Sequence, residues 1–252
     1  MPDHSIKIVT YNIHKGFSTT NKHFVLHDIK NALQKVAADI VFLQEIQGEH
    51  QLKSSSILNW PSEPQFEFLA DQVWPHHAYG KNAIYQAGHH GNAILSKHPF
   101  QQWENINVSN MANASRSLLH GVISLPDTES PLHVICVHLG LFAKERRRQF
   151  KTLCERIDSH VPHHEPLIIA GDFNDFWHQA EHHLQDHLQL TEVFQQLTGS
   201  HARSFPAWLP IMHTDRIYFR GLKAVHCQRL KNNPWKRLSD HIPLLAEFTV
   251  DT

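Results

Sequence analysis

The chain has 252 residues, 41% of them apolar and 19% charged, the composition of an ordinary globular protein long enough to bury a substantial core. A formal net charge of −1 argues against coating long nucleic acid by bulk electrostatics and leaves room only for a local basic groove. No stretch approaches the roughly 20 apolar residues of a membrane helix, and the opening residues carry neither the basic start nor the apolar segment of a leader, so the expected protein is cytoplasmic without a membrane span.

The first predicted element is a strand at Ile6-Lys7-Ile8-Val9-Thr10-Tyr11. Over residues 23–38, Leu26, Ile29, Leu33 and Val36 recur at helical spacing and predict an amphipathic helix. The run Asp39-Ile40-Val41-Phe42-Leu43-Gln44-Glu45 reads as a buried strand ending in polar residues. Residues 54–64, with two prolines and four serines, read as an internal loop. Further strands are expected at 91–96, 118–125, 132–138, 166–171, 215–219, 222–230 and 242–250. Helices are expected at 143–160, where Phe150, Leu153 and Ile157 align, and at about 177–187. No linker, repeat or low-complexity tract divides the chain, so residues 1–252 are read as one α/β domain.

Three scattered cysteines, Cys136, Cys154 and Cys227, lack Cys-x-x-Cys spacing. This excludes a cysteine zinc site and argues against a disulfide framework. Histidine is abundant, 24 residues with four His-His pairs at 76–77, 89–90, 163–164 and 182–183. The pairs lie in different segments and form no His-Glu-x-x-His pattern, so no histidine is informative by its presence alone.

Position is more telling than count. Asn12 follows the first strand, Glu45 ends the second, and His138 ends the run 132–137. Asp172 and Asn174 follow 167–171, Asp215 opens its strand, and Asp240-His241 precede the last one. Strand ends are where a packed sheet holds reactive groups rigidly. Carboxylates and an amide without thiolates favour Mg²⁺ or Mn²⁺, which take one or two carboxylates plus waters and substrate phosphates.

Seven blocks in order resemble the endonuclease/exonuclease/phosphatase (DNase I-like) superfamily. They are Thr10-Tyr11-Asn12-Ile13, Asp39 through Glu45, Gly91-Asn92-Ala93-Ile94-Leu95-Ser96, Val137-His138-Leu139, Gly171-Asp172-Phe173-Asn174, Asp215-Arg216-Ile217 and Ser239-Asp240-His241-Ile242-Pro243-Leu244. The likeness is to small bacterial members without extra domains. It implies a four-layer α/β sandwich, two mixed β-sheets face to face with helices outside and the site at one edge.

The resemblance also implies roles. Glu45, Asn12 and Asp240 become metal ligands for Mg²⁺ or Mn²⁺, although Asn12 and Asp240 would also suit turns. His241 pairs with Asp215, whose other partner would be Arg216 next to it. Asp172 orients or deprotonates the attacking water, with room for a second metal beside it; whether Asp172 or the His241–Asp215 dyad takes the proton stays open. Asn174 donates to a non-bridging phosphate oxygen, His138 donates to the phosphate or protonates the leaving group, and Arg116 contacts phosphate. Relatives support the histidine with an acid near the Gly91 block; here that stretch reads Gly88-His89-His90-Gly91-Asn92 and has none. Arg146-Arg147-Arg148 is read as a solvated helix face. In Phe205-Pro206-Ala207-Trp208-Leu209-Pro210, packing of a rigid loop is preferred over base stacking by Trp208.

The implied activity is metal-dependent phosphodiester hydrolysis by a monomer, with nucleic acid, DNA or RNA, as the first substrate. A phospholipid head-group or small phosphoester is the second, and a binding protein that has lost catalysis the third.

Overall fold

The computed structural model describes residues 4–109, 116–126, 128–176, 184 and 188–250. One sheet holds β1 (His4–Asn12), β2 (Ile40–His50), β3 (His76–Tyr85), β4 (Gly88–Ser96), β11 (Lys223–Arg229) and β12 (Leu244–Val250), in the order β11-β12-β1-β2-β4-β3. The other holds β5 (Phe100–Asn107), β6 (Ser117–Ile123), β7 (Leu132–His138), β8 (Leu167–Asp172), β9 (Thr191–Glu192) and β10 (Asp215–Arg220), in the order β5-β6-β7-β8-β10-β9. Each sheet has one parallel pair among antiparallel ones, β1 with β2 and β7 with β8, so both are mixed.

The long apolar runs follow from burial on both faces. In β2, Ile40 and Phe42 enter the cluster between the sheets, with Ile8, Cys136 and Ala170. Val41 and Leu43 face the other way, toward Leu26, Ile29 and Leu33 of α1 (Leu26–Val36). On the far side, Leu118, Ile135 and Val137 meet Phe150, Leu153 and Ile157 of α4 (Ala143–His160). This is the expected four-layer order. Shorter helices are α2 (Gln51–Ser56), α3 (Gln65–Ala70), α5 (Val193–Thr198) and α6 (Trp235–Leu238). No helix among the described residues is long and apolar enough to cross a membrane.

Several expectations are corrected. The first helix starts at Leu26 rather than 23, because Phe24 bridges Phe17. The 54–64 loop begins as the last turn of α2. Edge strands β3, β5 and β9 and helices α3, α5 and α6 were not expected. The helix expected over 177–187 lies outside the described residues apart from Leu184. Glu45 does not end its strand: β2 runs on to His50, and Glu45 occupies a bulge where the register with β4 shifts between Leu43 and Ile46. Arg147 and Arg148 are exposed, but Arg146 is buried and donates to the carbonyls of Gly140 and Leu141.

A buried polar chain crosses the α4 side of the second sheet. Arg156 Nε donates to His120 Nδ1 at 3.0 Å, His120 Nε2 lies 2.9 Å from His133 Nδ1, and His133 Nε2 lies 2.5 Å from Glu165. Burial, then Arg156, pushes His120 down to about 3. The unfolded histidine takes a proton below about pH 6.5 that the folded one refuses. The stabilising contribution is therefore complete above that pH and is lost as pH falls toward 3, by about 1.4 kcal/mol per pH unit for one such histidine. Calorimetric melting between pH 7 and 5 is expected to fall more steeply for the wild type than for His120→Gln; parallel curves would contradict the assignment.

Candidate active site

The site is built first by strand register. Ser117, His138, Asp172 and Asp215 are successive partners across β6, β7, β8 and β10, so a single row perpendicular to the strands carries three of the expected residues. Gly171 precedes this row with φ +148, and a Cβ there would stand 2.0 Å from the Val137 carbonyl oxygen. That close approach of β8 to β7 is open to glycine alone, which accounts for the glycine before Asp172.

The other sheet supplies Asn12 from the end of β1, and its Nδ2 donates to Asp172 Oδ2 at 3.2 Å. His138 Nε2 lies 3.6 Å and His241 Nε2 3.9 Å from the same oxygen. Asp172 Oδ1 accepts the Asn174 backbone N–H at 3.0 Å. Asp172 is thus the hub of the site. Burial, with Asp215 adding to it, pushes its pKa up to about 7.

His241 Nδ1 lies 2.8 Å from Asp215 Oδ2, which also accepts from Thr214 Oγ1. Burial opposes charge on His241, but Asp215 and Asp172 outweigh it and push the imidazole up to about 10. Arg216 turns away from Asp215 and binds Asp175 and Tyr218, so the dyad and not the Asp215–Arg216 pair forms. Asp175 ties down the loop that carries Asn174. Asn174 itself sits at φ +49 and donates through Nδ2 to the Leu139 carbonyl at 2.9 Å.

Arg116 reaches the His138 ring. Its Nη1 lies 2.6 Å from His138 Nε2. Burial first, and then Arg116, holds His138 well below the usual histidine range. His138 is therefore neutral here and accepts from the guanidinium.

Glu45 and Asp240 stand a short way off, each met by a cation or donor from the turn after β1. Lys15 Nζ lies 3.5 Å from Glu45 Oε2, and His14 Nδ1 3.1 Å from Asp240 Oδ1. Burial opposes their ionisation, yet Lys15 for Glu45 and His14 for Asp240 keep both below the usual range. His14, Lys15 and Glu45 all have positive φ, 47, 57 and 53. Such backbone costs about 1–3 kcal/mol per residue and persists where the surroundings over-determine it. Sequence reasoning passed over His14 and Lys15; their one signal was a basic pair directly after Asn12-Ile13.

Two carboxylates and the Asn12 amide form a hard donor set suited to Mg²⁺ or Mn²⁺ with retained waters. Among the described residues, no group of three or more His, Cys, Asp or Glu makes a ready cage. The cis-Pro loop at 205–212 packs inward through Phe205, 4.8 Å from the His241 ring, and through the Ala207 N–H on the Asp240 carbonyl. Trp208, expected to pack, is instead 66% exposed.

Residues 9–241 match the model of the Endonuclease/Exonuclease/phosphatase family. The chain is 43% identical to the uncharacterized protein YbhP of Escherichia coli (strain K12), over 98% of this chain and 99% of that one. The fold is similar to that of an endonuclease/exonuclease/phosphatase from Beutenbergia cavernae DSM 12333 (TM-score 0.79, 17% identity, 98% and 72% of the two chains). It is also similar to D. rerio TDP2 complexed with single strand DNA product (TM-score 0.70, 19% identity, 98% and 100%).

Proposed function

The chain belongs to the endonuclease/exonuclease/phosphatase family, and from that premise we propose that it is a divalent-metal-dependent phosphodiesterase that cleaves nucleic acid by in-line attack of water. The observation that carries the reading is the convergence of Asn12, His138 and His241 on one oxygen of Asp172, with Asp215 behind His241. The DNA product bound to the TDP2 neighbour supports nucleic acid as the substrate class.

Glu45, Asp240 and Asn12 would hold the metal, which supplies neutralisation of the scissile phosphate and of the leaving oxygen. Lys15 and His14 then release their carboxylates and face the substrate anion. Asp172 orients the attacking water and takes its proton. Its pKa of about 7 lies where a general base works best at neutral pH. His241, held charged by Asp215, and Asn174 face the phosphate oxygens on which negative charge builds. Arg116 leaves the His138 ring for a phosphate oxygen and frees that histidine to donate. Both Asp172 oxygens are engaged by donors, so the reading uses one metal.

A second reading, hydrolysis of a phospholipid head-group, is favoured by the exposed Trp208, Leu209 and Ile211 beside the site. The test is turnover of bis-p-nitrophenyl phosphate with Mg²⁺, Mn²⁺ or EDTA, followed by single-stranded DNA, RNA and phospholipids side by side. Metal-dependent turnover abolished by EDTA is expected, with oligonucleotide cleavage. Turnover unaffected by EDTA sinks the metal assignment, and cleavage of lipid alone sinks the nuclease reading.

A further inference from the structure

A basin of about 670 Å³ lies beside the 203–213 loop. Arg203, Arg229, Lys231 and Lys236 line it, and among the described residues no Asp or Glu does. Arg203, Lys231 and Lys236 are exposed and Arg229 is half-buried. Several basic residues elsewhere have acidic partners, as in Lys30–Asp71, Lys97–Asp39 and Arg156–Glu104. These four form no ion pair among the described residues. Glu192, buried beneath, is taken up by the Gln195 N–H and His201. In a chain of net charge −1, four unpaired cations in one hollow form a local positive field that attracts and holds an anion.

The hollow shares a wall with the active site. Ser204, next to Arg203, accepts the Asp215 N–H and the Ile242 N–H. Phe205 packs on His241, Ala207 holds Asp240, and the same loop then exposes Trp208 before Pro210 returns to the basin. Lys236 lies in α6, just before Ser239-Asp240-His241. One loop therefore lines the basin through Arg203 and Pro210, borders the active site through Phe205 and Ala207, and carries the exposed Trp208.

Resting on the phosphodiesterase reading, we infer that this basin is a subsite for a further phosphate of a single nucleic-acid strand, with the Trp208 ring available to stack on a base at its lip. Cationic grooves beside exposed aromatic rings suit single strands, because every base has a face to stack. The hollow shape favours a strand over a membrane: one phosphate can enter it, down to a floor that includes Phe194 and Ala202, whereas a bilayer presents its head-groups as a broad plane.

The test uses the full chain carrying Lys231→Gln and Lys236→Gln together. Binding of a labelled single-stranded oligonucleotide is followed by anisotropy in EDTA over a series of salt concentrations. The wild type is expected to bind with a steep salt slope. The double variant should bind on the order of tenfold more weakly, its slope reduced by about 1.4, since each phosphate contact on a single strand contributes about 0.7. Its turnover of bis-p-nitrophenyl phosphate, too small to reach the basin, should stay unchanged. Unaltered affinity and slope in the variant overturn the inference, as does wild-type protein that binds no oligonucleotide. Loss of sedimentation with phosphatidylserine vesicles while oligonucleotide binding persists would assign the surface to a membrane and equally overturn it. Absence of metal-dependent turnover in the wild type strikes at the phosphodiesterase reading instead, and that measurement is separate from the binding one.

Discussion

Glu45→Gln is expected to lower metal-dependent turnover of bis-p-nitrophenyl phosphate by about a thousandfold or more, equivalent to about 4 kcal/mol of lost transition-state stabilisation. The shape of the side chain is kept, so the bulge at φ +53 and its contacts should survive. What disappears is the carboxylate held ionised, against its partial burial, by Lys15. Loss of the Lys15–Glu45 pair itself should cost little, since both side chains are partly open to water and such pairs are worth at most about 1 kcal/mol. The discriminating measurement is the rise in melting temperature on adding Mg²⁺ or Mn²⁺: present in the wild type, small in Glu45→Gln, because a ligand stabilises only the state that binds it. A variant that keeps both turnover and the metal-induced rise would remove Glu45 from the metal site.

The second large effect belongs to the dyad. Asp215→Asn and His241→Gln are each expected to cut turnover by about three to four orders of magnitude, by analogy with the loss seen when an acid that orients a catalytic histidine is replaced by its amide. The amide leaves His241 without the carboxylate 2.8 Å from Nδ1, the main influence that raises its pKa. Combined in one protein, the two changes should cost hardly more than either alone, because residues that act as a unit are not additive. A double variant whose loss equals the product of the single losses would show that Asp215 and His241 work separately.

The central strands were legible in the sequence because they are buried on both faces. β7, β8 and β10 are buried along their whole length and β2 along most of it, and their continuous apolar runs at 40–43, 134–137, 167–170 and 217–219 mark them. The edges were not. β5 reads Phe-Gln-Gln-Trp-Glu-Asn-Ile-Asn and is largely exposed, so it has neither a continuous apolar run nor a clean alternation. Of the site, Asn12, Glu45, His138, Asp172, Asp215 and His241 could be placed at strand ends, though the bulge that aims Glu45 inward depends on its pairing with β4. Lys15 escaped notice because its inward turn depends on backbone with positive φ and on Gln65 Nε2 donating to the Lys15 carbonyl, 50 residues away. The basic basin was invisible for a similar reason: Arg203, Arg229, Lys231 and Lys236 form no run, and only the fold gathers them.

The register row has one more consequence. His138, Asp172 and Asp215 are neighbours only because β7, β8 and β10 pair at one alignment. A slip of a single residue along any of these strands turns its alternate side chains to the opposite face. A misaligned molecule would therefore be silent in an activity assay even if it were compact and rich in β-structure. The fraction of the proposed activity regained after refolding would count correctly aligned molecules, a readout of strand pairing where circular dichroism would see no difference.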